Sequence, residues 1–127
     1  MSNPVVRIEI PASGEYLAVL RAAATGLAAS LHFTYEQIDD LRIAVDEACA
    51  QLLARHGGAD SLRVAYLIAG SRLQVEVTVT GDGLSAPRPL PKDTFSWQIL
   101  KALTDDIDER VDGLGVHLAF SKHGGPR

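Results

Sequence analysis

Cysteine is almost missing from this chain. Cys49 stands alone among 127 residues, so no internal disulfide can form, and a reducing cytoplasmic setting fits that usage. Long apolar runs are missing too. Nothing approaches the roughly 18 consecutive apolar residues of a membrane-spanning helix, and the opening MSNPVVRIEIPA lacks the basic-then-apolar order of a secretory leader. Positive charge is in short supply: 12 Lys and Arg against 16 Asp and Glu leave a net charge of −4. A nucleic-acid binder would show a basic face to the phosphates, whereas an acidic chain suits a basic protein partner. His32, His56, His117 and His123 are scattered, with no two at ligand spacing on one element, so no metal site is expected.

What is present is a globular composition, 46% apolar and 22% charged, which excludes disorder. A single domain over 1–127 is the simplest division, long enough to bury roughly two-thirds of its unfolded surface. VVRIEI, Val5 to Ile10, alternates as a strand, and Ser13 is placed to cap a following helix. Leu17, Leu20, Ala24, Leu27, Ala28 and Leu31 recur at helical spacing. Thr34 caps a second helix whose stripe Ile38, Leu41, Val45, Ala48 and Leu52 runs to about Arg55, where Gly57-Gly58 stop it. SLRVAYLI and RLQVEVTV alternate on either side of a short AGSR turn, an antiparallel hairpin with one wet face.

A Gly- and Pro-rich loop from Gly81 to Pro91 is of the long kind that often carries function. A short helix from about Thr94 to Leu103 turns Trp97, Leu100 and Leu103 inward, and DIDERV and VHLAFSK form two last strands around DGLG. The order β-α-α-β-β-α-β-β describes an α/β two-layer sandwich, a mixed sheet with helices on one face.

The candidate site lies on the second helix. At 100° per residue Glu47 and Gln51 fall together, with Asp40, away from the middle of the apolar stripe. Periodicity alone reads this as a solvated face, but Ile43, Ala50 and Leu53 or Ala54 flank it, so the helix has apolar residues on two sides. Such a helix lies between a sheet and a ligand or partner.

DLRIAVDEACAQLL, FSWQILKALTDDID and the order of elements together resemble the anti-sigma factors of the RsbW/SpoIIAB type, members of the histidine-kinase-like (Bergerat, GHKL) ATPase superfamily, over about Ile8 to Lys122. The FSW stretch resembles a divergent actinobacterial branch with eroded nucleotide motifs. The resemblance implies ATP with magnesium as the ligand and a Glu-x-x-x-Asn motif, in which Glu47 holds the general-base position while Gln51 replaces the magnesium-holding asparagine. It aligns Val79 with an adenine-binding aspartate, and Gly81 and Gly83 with the glycines that follow. Thr94 and Ser96 stand where a phosphate lid has glycines, with Phe95 and Trp97 expected to fill the vacated space.

Each lost contact is worth ~1.5–3 kcal/mol, and three together reach roughly a thousandfold in affinity. Glu47, Gln51, Gly81 and Gly83 therefore read as a remnant nucleotide site, Glu47 as a vestigial base, with no cofactor needed and ATP weak at most. The Gly113–Gly115 GLG reads as a hairpin turn instead.

The resemblance further implies an alternative sigma factor as partner, a STAS-domain anti-anti-sigma factor as the competing antagonist, and a homodimer. Glu15 and Arg21 occupy the matching partner-contact positions, although both also suit an ordinary helix start. The acidic run Asp105 to Glu109 reads as a solvated edge or as a face for a basic partner. Three functions are thus in play: an anti-sigma factor without its own kinase activity, an active kinase of the STAS antagonist, and a generic interaction domain.

Overall fold

Alternating apolar residues build the sheet. In β2 (Ser61–Ala69) Leu62, Val64 and Tyr66 are buried, and in β3 (Arg72–Thr80) Leu73, Val75, Val77 and Val79 are. The register sets Leu62 opposite Val79 and Val64 opposite Val77, so both apolar rows share one face. Only Gly70 and Ser71 separate the strands, and Gly70 takes φ +61°, which a side chain would resist.

β1 (Val5–Pro11) adds outside β2, and β4 (Asp106–Asp112) and β5 (Gly115–His123) form a second hairpin that joins through β5 to β3. The strand order is β1-β2-β3-β5-β4. The computed structural model describes residues 3–81, 91–113 and 115–125, and among these the elements follow the expected order.

The expected mixed sheet is corrected: every neighbouring pair is antiparallel. Two helices lie between β1 and β2, so the chain reverses three times, an odd number, and returns antiparallel. The single helix between β3 and β4 leaves those two strands running the same way, but β5 lies between them. No adjacent parallel pair arises.

Three helices cover the apolar face: α1 (Leu17–Ser30), α2 (Tyr35–Arg55) and α3 (Phe95–Leu103). A tight helical turn, Gly14–Tyr16, precedes α1, and the Ser13 hydroxyl reaches Glu15 at 3.4 Å instead of capping backbone amides, which corrects its expected role. Without side-chain caps, α1 depends on packing. Leu20, Ala24 and Ala28 are fully buried, and the Tyr66 hydroxyl donates to the Leu20 carbonyl at 2.6 Å. The helix ends in a Schellman pattern, Phe33 N–H to Ala28 C=O and His32 N–H to Ala29 C=O, with His32 at φ 62°.

α2 follows at once through a full capping box: Gln37 N–H donates to Thr34 Oγ1 at 3.2 Å, and Thr34 N–H donates to Gln37 Oε1 at 2.9 Å. Its buried row, Leu41, Ala44, Val45, Ala48, Cys49 and Leu52, meets the sheet in one contiguous core. Lys122, at the end of the inward row of β5, is buried because its ammonium reaches Asp40 at 3.2 Å and the Leu103 carbonyl at 2.8 Å. No helix of the described residues is long and apolar enough to cross a membrane.

Removing the Thr34 hydroxyl leaves the Gln37 amide without its cap. Thr34→Ala is expected to lower stability by about 1 kcal/mol, read as a drop in urea midpoint at unchanged slope.

Cys49 is the small buried hydrophobe that the stripe implied. Burial, helped by the Asp46 charge, pushes its thiol from 9.0 up to about 12, and burial pushes the Tyr66 phenol up as well. The folded chain keeps a thiol proton that the unfolded chain gives up above pH 9.0, so this contribution to stability is complete below pH 9.0 and is lost as pH rises toward about 12. A thiol reagent at neutral pH should label Cys49 only as fast as the protein unfolds. Rapid labelling of the native protein would contradict the burial.

Candidate functional site

The capping box fixes where α2 begins, and 100° per residue then assigns its flanks. One flank carries Asp46 toward α1. Another carries Asp40, Glu47, Gln51 and Arg55 in line, and α3 lies along its first half. The two helices run antiparallel: Ser96, at the start of α3, donates its hydroxyl to Glu47 Oε1, while Leu103, at its end, shares Lys122 with Asp40. Ser96 is held firmly. The Thr94 hydroxyl accepts from the Trp97 amide at 3.2 Å and donates to the Pro91 carbonyl at 2.9 Å, and Trp97 and Leu100 anchor α3 in the core.

Gln51 and Arg55 continue the flank one and two turns past Glu47. Both are half-buried, and the Arg55 Nε is buried with no hydrogen-bond partner among the described residues. Among the described residues Ser96 is the one hydrogen-bond partner of Glu47. A cleft of about 460 Å³ opens at the other end of α2, between Thr34, Gln37, Asp40, Thr104 and Lys122. Its cation is already held by Asp40.

The structure brings Glu47 and Gln51 together on one flank, as their spacing implied, and sets Glu15 and Arg21 elsewhere. Glu15 is exposed in the turn before α1. Arg21 Nε lies 3.0 Å from Asp46 Oδ1 and ties α1 to the opposite flank of α2. Gly83 lies outside the described residues.

The expectation that Phe95 and Trp97 together fill a vacated pocket is corrected. Phe95 is 82% exposed while Trp97 is buried, because two residues on a helix diverge by about 200°. The Trp97 ring instead meets the Lys92 ammonium, 4.3 Å from its centroid, and Lys92 also pairs with Glu109 at 2.7 Å.

A nucleotide would need an open carboxylate and amide on α2, a polar acceptor for adenine, and glycines with room beside them. The described residues fit these needs poorly. The Glu47 carboxylate is engaged by Ser96, and Val79 is an apolar core residue. At Gly81 a Cβ would lie 2.4 Å from the Asp60 backbone nitrogen, so the space beside this glycine is filled by the protein's own chain.

Sequence reasoning took Ser96 only as a lost glycine and missed its bond to Glu47. The Thr94 cap was the available signal, since it makes Ser96 the second residue of α3; the docking of α3 on α2 had no local signal. Asp46 and Lys122 were missed for the same reason, as their partners lie 25 and 82 residues away.

Comparison with known proteins agrees with this architecture. Residues 10–121 match the histidine kinase-like ATPase domain family. The serine-protein kinase RsbW of Bacillus thuringiensis is 30% identical over 120 residues, covering 89% of this chain and 69% of that protein, and RsbW of Bacillus anthracis matches to the same extent. A solved structure of the RsbU and RsbW domains of a Mycobacterium tuberculosis protein superposes with a TM-score of 0.73 at 17% identity, over 98% of this chain. The chain spans only 33% of that larger protein, and the likeness shows the fold. This chain belongs to the histidine kinase-like ATPase family, and within it to the RsbW type.

The contact at Gly81 is directly testable. Gly81→Ala must push the 59–60 backbone away from the end of β3, an overpacking of the kind that costs about 1–3 kcal/mol. A melting temperature unchanged by the substitution would show that the space is open.

Proposed function

We propose that this protein is an anti-sigma factor that sequesters an alternative sigma factor and releases it when a STAS-domain antagonist competes, without a kinase reaction of its own. The observation that carries the reading is the outer face of α1. In its 14 residues Arg21 is the one charged side chain, and that charge is matched by Asp46. The exposed positions Ala18, Val19, Ala22, Gly26 and Ala29 are uncharged and mostly small, so a partner helix can approach closely without desolvating an unpaired charge. Tyr16 and Val19, 40% and 51% exposed, supply apolar contact at the end nearest Glu15. In this reading Glu15 is the polar rim of the interface, and Arg21 presents a neutralised pair to the partner.

The misfit around Glu47, Val79 and Gly81 favours sequestration over catalysis. The retained Glu47 carboxylate favours the second reading, a kinase acting on the STAS antagonist. RsbW of the Bacillus relatives carries the name of serine-protein kinase, so this alternative has to be tested on this chain.

Purified protein mixed with each alternative sigma factor of its own genome separates the two. A complex with one of them that forms equally with and without Mg-ATP, and that Ala22→Glu weakens at least about tenfold by placing an unpaired charge in the interface, is the expected result. Transfer of the γ-phosphoryl group to the STAS antagonist, abolished by Glu47→Ala, would overturn the non-catalytic reading. A complex untouched by Ala22→Glu would move the interface off α1.

A further inference from the structure

A hydroxyl donated to a half-buried carboxylate is what a hydroxyl-bearing ligand or a metal-bound water would offer Glu47. Here the chain supplies that hydroxyl itself. The geometry points to Ser96 as an internal occupant of the Glu47 site, holding the carboxylate in place of an external ligand. The inference rests on the non-catalytic reading above and adds Ser96 to the misfit already described at Val79 and Gly81.

Three features support it. Among the described residues no Lys, Arg or His pairs with Glu47, so the Ser96 hydroxyl is its one partner. The hydroxyl is presented by a fixed helix and not by a mobile loop: Thr94 caps α3, and Trp97 and Leu100 bury its inner face. Turning Ser96 away would leave a half-buried carboxylate without a donor, because the rest of α3 directs Phe95 outward and Trp97 into the core. An incoming ligand must therefore displace a charge-assisted hydrogen bond before making its own, a handicap of about 10- to 100-fold in affinity.

The other candidates carry less. Arg55 has an orphaned donor but, among the described residues, no second group converging with it, and the polar cleft at Lys122 is already neutralised by Asp40.

The test is calorimetric titration of Mg-ATP into the full chain and its Ser96 variants, each checked for native circular dichroism. Ser96→Ala removes the hydroxyl and keeps the Cβ. It should bind Mg-ATP about 10- to 100-fold more tightly than the unaltered chain, Ser96→Thr should match the unaltered chain, and Glu47→Gln added to Ser96→Ala should cancel the gain. If folded Ser96→Ala and Ser96→Gly both bind no better than the unaltered chain, the occupancy idea is wrong. A gain confined to Ser96→Gly would overturn it as well, since bulk and not the hydroxyl would then be the obstacle. Tight binding by the unaltered chain would instead defeat the non-catalytic reading on which the inference rests, so the two failures are distinguishable.

Discussion

Burial of one row of α2 side chains against the sheet is the contact on which the rest of this molecule depends. Leu41, Ala44, Val45, Ala48 and Leu52 are essentially without solvent contact. Each large apolar side chain in the row contributes about 1.5–3 kcal/mol relative to exposure, far more than any exposed ion pair here. Fixing that row on the sheet fixes the rotation of a 21-residue helix, and with it the direction of every other side chain the helix carries. The capping box at Thr34 and Gln37 sets where the rotation starts, and Gln37 also holds the tail through Gly125.

The two flanks then do different work. The Asp46 flank receives α1 through Arg21, and α1 in turn presents an uncharged outer surface. The Asp40–Glu47 flank receives α3, closed at one end by Lys122 and at the other by Ser96. One helix thus separates the uncharged α1 face, proposed above as the partner surface, from the Glu47 flank that Ser96 meets, and the same packing orients both. Ser96 gives the Glu47 carboxylate a partner, and Val79 adds to the core.

Much of this architecture is legible in the chain because period and burial coincide. The alternation in SLRVAYLI and RLQVEVTV named the inward residues of the hairpin, and Thr34 named the start of α2, since both signals are local. The strand directions were read less well, as pairing order depends on how many reversals lie between strands. Ser13 looked like a cap by residue type, yet a tight turn intervened and its hydroxyl went to Glu15. Phe95 and Trp97 looked like one aromatic unit by proximity in sequence, but helical rotation sends one to solvent and the other to the core.

The sequence by itself determined the elements, the apolar faces, the lone buried cysteine and the alignment of Glu47 with Gln51, because these follow from spacing within one element. The tertiary structure alone decided that Glu47 meets Ser96, that Arg21 meets Asp46, that Lys122 can be buried, and that Gly81 lies against backbone. Each of those joins residues 21 to 82 positions apart. The partner of a side chain at such a separation is set by how helices dock on the sheet, a choice made by the whole core and not written in any one stretch of residues.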